Sequence, residues 1–407
     1  MSTWPTYHDL MVAYKACRLY KPPSNSQIQF ETRLGQNITA LHTEIHSGRY
    51  HPRPAKCFVV TRPKPREIFA ADFRDRVVHH LLVTQLEPVW EKKFIYSSFA
   101  CRKGKGPLGA IRYLQRRVRE ISQGGIKPVW VLQLDLEKFF VTINRPTLCD
   151  LVLKHCKHEK QRELIKVIYS YDARKGARDI GDPASFDLIP KGKSWFDQAP
   201  EQGIPIGNLT SQFGANVYLS ALDHFVQREL KPEAYLRYMD DLLLVDRDPN
   251  KIRDKADTIN RWLADNRAQR LNTDKSHFTN LYDGITYLGY QLRQTDSPQQ
   301  PLQLFPEPIK KWQLVSALRE RENEECLISY RPHPLALSLQ PTEMKEALAS
   351  INSRLGILVH SRSYLMRKQA LETFIKKNTT NVDMPADFAD HWCPFKVKKG
   401  YRAIKLR

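Results

Sequence analysis

The chain has 407 residues, 41% of them hydrophobic, which excludes a disordered polypeptide and allows two or three subdomains around a large core. Its 64 Lys and Arg against 44 Asp and Glu leave a net charge of +20, which points to a polyanion, nucleic acid first, as partner. A membrane surface is the rival destination for such charge. No apolar run nears the roughly 18 residues of a spanning helix, however, and no signal-peptide core follows Met1-Ser2-Thr3-Trp4-Pro5, so a cytoplasmic protein with no membrane partner is expected. Seven scattered cysteines without a C-x-x-C pair fit reduced thiols, and Cys149, His155, Cys156 and His158 lack the ligand spacing of a structural zinc site.

Residues 1–50 read as an N-terminal helical extension. Tyr7, Leu10, Met11, Tyr14 and Cys17 recur at helical spacing, as do Phe30, Leu34, Ile38, Leu41 and Ile45. From His51 the composition shifts to Pro, Arg and β-branched residues, and Phe58–Phe69 reads as a hairpin with the tip Arg62-Pro63-Lys64-Pro65-Arg66. Such a rigid basic turn suits a triphosphate, with Lys64 as a point charge and Arg66 as a fork; an ordinary solvated tip is equally compatible. A helix that is mostly core starts at Asp75. Between Ser97 and Glu120, Arg102, Lys103, Lys105, Arg112, Arg116, Arg117 and Arg119 alternate with Phe99 and Tyr113, a face that could track a phosphodiester backbone. A merely solvated face is the alternative; the net charge favours binding.

An apolar run from Val129 then closes on Asp135, followed by Phe139 and Phe140. Helices are expected at Pro146–Lys157 and Gln161–Tyr171, a loop-rich insertion at 172–200, and a glycine loop, Gly203–Gln212, leading into a helix over Phe213–Leu219 capped by Thr210 or Ser211. Ala234–Arg237 and Leu242–Val245 bracket Tyr238-Met239-Asp240-Asp241: strand, turn, strand. Desolvating two adjacent carboxylates costs several kcal/mol unless a cation lies between them. With Asp135 about a hundred residues upstream, the pattern suits a nucleotidyl transferase using two Mg²⁺ ions ~3.5–4 Å apart, and hard oxygen ligands favour Mg²⁺ over zinc. Helices are expected again at Ile309–Glu325 and Thr342–Lys377. The tail from Phe395 carries Lys396, Lys398, Lys399, Arg402, Lys405 and Arg407 without an acid, as an RNA anchor or a frayed solvated end.

Taken in order, these segments resemble the successive sequence blocks of reverse transcriptases over roughly residues 50–370. The Asp135 block is similar to the family's first metal-binding motif, Gly203–Gln212 to its template and nucleotide loop, and Tyr238-Met239-Asp240-Asp241 to its signature turn. Asn272-Thr273-Asp274-Lys275 resembles the later lysine motif and Tyr287-Leu288-Gly289-Tyr290 the primer grip. The resemblance implies an α/β (α+β) palm in a right-hand polymerase: fingers at 51–130, palm at 131–299 carrying the 172–200 insertion, helical thumb at 300–378, basic tail at 379–407. It further implies that Asp135, Asp240 and Asp241 hold two Mg²⁺ ions, that Lys275 donates a proton to the leaving group, and that Lys64 and Arg66 clamp the triphosphate. Phe140 would be the steric gate against a 2′-hydroxyl, with Ile206, Gly207 and Gln212 at the nucleotide. Arg102, Lys103, Lys105, Arg112, Arg116, Tyr287 and Gly289 would meet nucleic acid.

The implied partners are an RNA template, a DNA or RNA primer and dNTPs. Ile206 stands where the family usually has Gln, and Gln212 where it has Pro; the Ser-Gln ending resembles diversity-generating retroelement enzymes, which copy a template RNA with adenine-directed errors. Gly214 departs from their bulky apolar residue. Bacterial reverse transcriptases of anti-phage defence are close neighbours, and both groups imply a dedicated noncoding RNA and room for an accessory protein or second reverse transcriptase. A group II intron maturase is not expected, since the segment after the thumb leaves no room for its DNA-binding tail. A non-catalytic RNA-binding scaffold, and template-independent or repetitive DNA synthesis, are the alternatives.

Overall fold

Thr6 and Asp9 cap each other ahead of α1 (Tyr7–Arg18): the Thr6 hydroxyl accepts from the Asp9 N–H and the Asp9 carboxylate from the Thr6 N–H. Leu10, Ala13, Tyr14 and Cys17 form the buried stripe of this helix, and α3 (Leu34–His46), reached through α2 (Asn25–Thr32), buries Ile38, Leu41 and Ile45. The N-terminal segment is helical as its periodicity predicts. The computed structural model describes residues 4–19, 23–61, 64–179, 181–299 and 301–306, with strand residues 382–383 and 396–397. The helices expected at Ile309–Glu325 and Thr342–Lys377, and the tail apart from that strand pair, lie outside the described residues.

Strands β1 (Lys56–Val60) and β2 (Arg66–Ala70) pair antiparallel from Lys56↔Ala70 to Val60↔Arg66. They lead into α4 (Phe73–Glu91), whose N-cap is Asp72, and then α5 (Pro107–Ile121). Next come β3 (Trp130–Asp135), the short α6 (Phe139–Thr142), α7 (Arg145–Leu153) and α8 (Glu159–Ser170). The loop-rich segment holds β4 (Arg178–Asp179), which extends the β1–β2 pair by joining β1 in parallel. Trp195 of this segment is 1% exposed, meets the Phe69 ring edge-on at 4.8 Å, and donates its backbone N–H to Glu67 at 2.8 Å. One buried tryptophan thus pins an otherwise irregular insertion to the basic hairpin.

Helix α9 (Leu209–Phe225) is followed by the hairpin β5 (Ala234–Tyr238) and β6 (Asp241–Asp246), then α10 (Pro249–Arg253), α11 (Lys255–Arg267) and β7 (His277–Asn280). A four-stranded sheet is ordered β5-β6-β3-β7. Helix α9 is buried around nearly its whole circumference because α4, α7 and α11 all pack on it, which explains its apolar sequence. It starts four residues earlier than the sequence suggests. Thr210 and Ser211 therefore lie inside its first turn, buried, and Asn208 occupies the N-cap, so the capping role expected of the two hydroxyls is not realised.

The described chain divides into two compact units, one of Met1–Leu114 with Val131–Phe278, the other of Gln115–Trp130 with Thr279–Arg407. Within the second, β8 (Ile285–Tyr287), β9 (Tyr290–Gln294) and β10 (Leu302–Pro306) form an antiparallel meander, and Gln294 receives the Val129 N–H at 2.9 Å while donating to the Lys127 carbonyl at 2.6 Å. The pair β11 (Val382–Asp383) and β12 (Lys396–Val397) also belongs to it. No helix among the described residues is long and apolar enough to cross a membrane.

Candidate active site

Strands β5 and β6 are buried almost to their ends, so the hairpin loop is where polar residues can emerge. Tyr238 pairs with Asp241, leaving Met239 and Asp240 as a two-residue loop in which Met239 takes a left-handed φ of 61°. Beside it β3 ends at Asp135. The Leu136 N–H donates to the Asp240 carbonyl at 3.3 Å, the Asn272 N–H to the Asp135 carbonyl at 2.8 Å, and Lys275 Nζ to Asp135 Oδ2 at 2.6 Å. Three segments far apart in the chain thus bring Asp135, Asp240, Asp241 and Lys275 to one place.

The electrostatics there are those of a site short of positive charge. Burial, then repulsion from Asp240 and Asp135 and a hydrogen bond with Asp135, pushes Asp241 up to about 7. Burial likewise raises Asp240, Asp135 adds to the rise, and Arg66 and Lys275 oppose it. Three hard carboxylates gathered in one place, two of them raised by burial and by their neighbours, match the donor chemistry of Mg²⁺. Among the described residues no trio of His, Cys, Asp or Glu has the spacing of a preformed cage. Asp135 is oriented instead by Lys275 and by its hydrogen bond with Asp241.

Around this centre, Lys64 and Arg66 are exposed at the β1–β2 turn, and Arg66 lies near enough to Asp240 to act on its charge. Of the two phenylalanines, Phe139 is core at 2% exposure and Phe140 is half-buried. The Phe140 carbonyl accepts from the Ile204 N–H at 2.9 Å, and Gly203 donates to the Ile143 carbonyl at 2.8 Å, so the glycine loop is stitched to the segment after Asp135. Ile206 and Gln212 are half-buried on that loop and on the first turn of α9. Gly207 has a φ of 102°, a conformation that favours glycine, and a Cβ there would meet Ile68 at 3.3 Å. Gly214 has a packing reason: a Cβ would come within 3.0 Å of the Tyr169 ring and 3.1 Å of Leu148, so α7 and α8 close directly onto α9 at this departure from the retroelement pattern.

The basic stretch divides. Arg102 has only 5% of its side chain exposed and is spent on Glu91 and the carbonyls of Ile95 and Ser98. Lys103 pairs with Glu87 at 2.6 Å, and Lys105 donates to the Tyr96 carbonyl at 2.9 Å with its ammonium 3.4 Å from the Tyr96 ring centre. These bonds shape the loop. Arg112 is exposed on α5, as is Arg116, which lies 3.9 Å from Glu120. In the second unit Tyr287 is buried, at 2% exposure, while Gly289 makes the β8–β9 turn at φ 85°. An unpredicted feature is Arg237, a fully buried arginine two residues before Met239. A charged residue inside the run Ala234–Val245 was its only sequence signal.

Helices backing a sheet that presents a turn with paired acids beside a strand-end acid and a lysine define the palm of a right-hand polymerase. Residues 61–292, more than half of the chain, match the family described as reverse transcriptase (RNA-dependent DNA polymerase), and the chain belongs to that family. Protein YkfC of Escherichia coli is 24% identical over 305 residues, covering 66% of this chain and 74% of YkfC. The group II intron-encoded protein LtrA of Lactococcus lactis is 23% identical over 223 residues, 53% of this chain and 33% of LtrA. The putative COX1/OXI3 intron 2 protein of Saccharomyces cerevisiae is 20% identical over 339 residues, 73% of this chain and 39% of that protein, so the chain spans well under half of the two intron proteins. A telomerase from Candida albicans, solved with a fragment of telomeric RNA, aligns with a TM-score of 0.44 at 11% identity over 87% of this chain and 64% of its own.

Proposed function

We infer that the chain copies an RNA template into DNA by adding dNTPs to a primer 3′-hydroxyl, with two Mg²⁺ ions held by Asp135, Asp240 and Asp241. The observation that carries this reading is the meeting of those three carboxylates with Lys275 at the mouth of one sheet. When bound, the ions would offset the charge of the triphosphate and of the attacking and leaving oxygens. The protein's own groups do the rest. Lys64 and Arg66 on the hairpin tip attract the phosphates, and Lys275, which donates to Asp135, would give a proton to the departing pyrophosphate. Phe140 lies under the sugar and selects deoxynucleotides. Arg112 and Arg116 on α5 meet the nucleic-acid backbone; Arg102, Lys103 and Lys105 hold the loop leading to them. The fingers, palm and thumb follow the boundaries at residues 51, 131 and 300.

The template in this reading is a dedicated noncoding RNA, and the copying is error-prone. Ile206 supports this, because an isoleucine cannot offer the amide hydrogen bond that would check the incoming nucleotide. The test is to purify the chain with its co-expressed RNA, sequence that RNA, and supply labelled deoxynucleotides with Mg²⁺, beside an Asp240→Ala control. DNA with errors concentrated opposite template adenines is the expected product of diversification. A short repetitive product would point to anti-phage defence, and no DNA from the intact chain would leave an RNA-binding scaffold.

A further inference from the structure

Arg237 and its partner Asp223 on α9 are both 0% exposed. A guanidinium has five N–H groups, and here every one has an acceptor. Nε and Nη2 grip Asp223 at 2.8 and 2.7 Å, Nη2 also reaches Ser98 Oγ at 3.1 Å, and Nη1 donates to Asn216 Oδ1 at 3.1 Å and to the Met239 carbonyl at 2.9 Å. Its main chain is held as well, donating to Ser97 and accepting from Phe99 at 3.0 and 2.9 Å. Asn216 in turn donates to the Ala100 carbonyl at 2.9 Å, and Tyr235 donates its hydroxyl to Asp223 at 2.8 Å.

Stability alone does not explain this cluster, because a buried ion pair is commonly matched or bettered by apolar residues of similar volume. Among the hydrogen bonds that such residues could not reproduce, the one that reaches the turn is the one to Met239. That residue is held at φ 61°, a conformation disfavoured for a side chain with a Cβ. Its carbonyl shares a rigid plane with the N–H of Asp240, so fixing the one fixes the start of the other.

We propose that Arg237 is a positioning residue for the catalytic turn, orienting Asp240 toward the divalent cation through the Met239 peptide. This rests on the reading of Asp135, Asp240 and Asp241 as the metal-holding set. Lysine at 237 keeps a charge beside Asp223 but cannot make five directed bonds. The pair Arg237→Met with Asp223→Leu removes both charges together and leaves the turn without its anchor.

The test uses the full chain and three readouts: Mn²⁺ binding by electron paramagnetic resonance, primer-extension kcat and KM for dNTP, and thermal melting. Arg237→Lys is expected to fold, to bind Mn²⁺ about tenfold more weakly, and to lose about tenfold or more in kcat with KM changed little. The double variant is expected to fold, to melt somewhat below the wild type because Tyr235, Asn216 and Ser98 lose a partner, and to keep the Mn²⁺ and kcat defects. Recovery of Mn²⁺ affinity and kcat along with melting would make the cluster purely structural and overturn the proposal, as would wild-type Mn²⁺ affinity in Arg237→Lys. If the double variant does not fold, the lysine variant decides. A wild-type chain that binds Mn²⁺ but makes no DNA defeats the reaction while the Mn²⁺ comparison still judges Arg237; one that binds no Mn²⁺ defeats both.

Discussion

Replacing Asp241 by Asn isolates the charge crowding at the turn. The unfolded carboxyl titrates near 3.8 and the folded one at about 7, so the native state binds this proton more tightly. For an acid raised in this way the cost to folding is absent below the unfolded value, grows as the pH rises through the interval, and is complete above about 7. At about 1.4 kcal/mol per pH unit, the cost is on the order of 2 kcal/mol at pH 5 and at most about 4 kcal/mol at pH 8. Asn removes the charge, keeps the shape and can donate to Asp135. In EDTA, Asp241→Asn is therefore expected to be more stable than the wild type, by a margin that widens from pH 5 to pH 8. Adding Mg²⁺ should reverse the order, because only the intact carboxylate set gains stability from the ion. Melting of both proteins at the two pH values, with and without Mg²⁺, checks this. A variant less stable than the wild type in EDTA at pH 8, or a margin independent of pH, would refute the reasoning.

Three further outcomes are expected. Apparent Mg²⁺ affinity, followed by calorimetry, should fall about tenfold for each unit of pH below 7 and level off above it, since Asp241 must lose its proton to become a ligand. Gly214→Leu should cost about 1–3 kcal/mol in urea unfolding, because the new side chain meets Tyr169 and Leu148 in a packed helix contact. Phe140→Ala should narrow the preference for dNTP over rNTP by about tenfold to a hundredfold in competition assays, with dNTP incorporation itself retained.

The residues of the centre were legible in the sequence because their signals are local. An acid closing an apolar run at Asp135, and two more in the turn after Tyr238, need only chain neighbours to be noticed. What depends on distant partners was not legible. Arg237 reads as an exception in a strand until Asp223, Asn216 and Ser98 are seen around it. Arg102 reads as a free cation until Glu91 and two carbonyls consume it, and Tyr287 keeps its place in a motif but is buried. The start of α9 was misplaced for a similar reason: Thr210 and Ser211 look like caps, but the left-handed Gly207 lets the helix begin after Asn208. Gly214, anomalous beside related sequences, becomes ordinary once α7 and α8 are seen against it.

The most direct measurement of the central claim is extension of a defined DNA primer on an RNA template of mixed sequence, with dNTPs and Mg²⁺, by the wild type and by Asp240→Ala. Templated DNA from the wild type, reduced at least about a hundredfold in the variant with RNA binding unchanged, is the predicted result. Tight RNA binding by the wild type without extension, or equal extension by the two proteins, would contradict it.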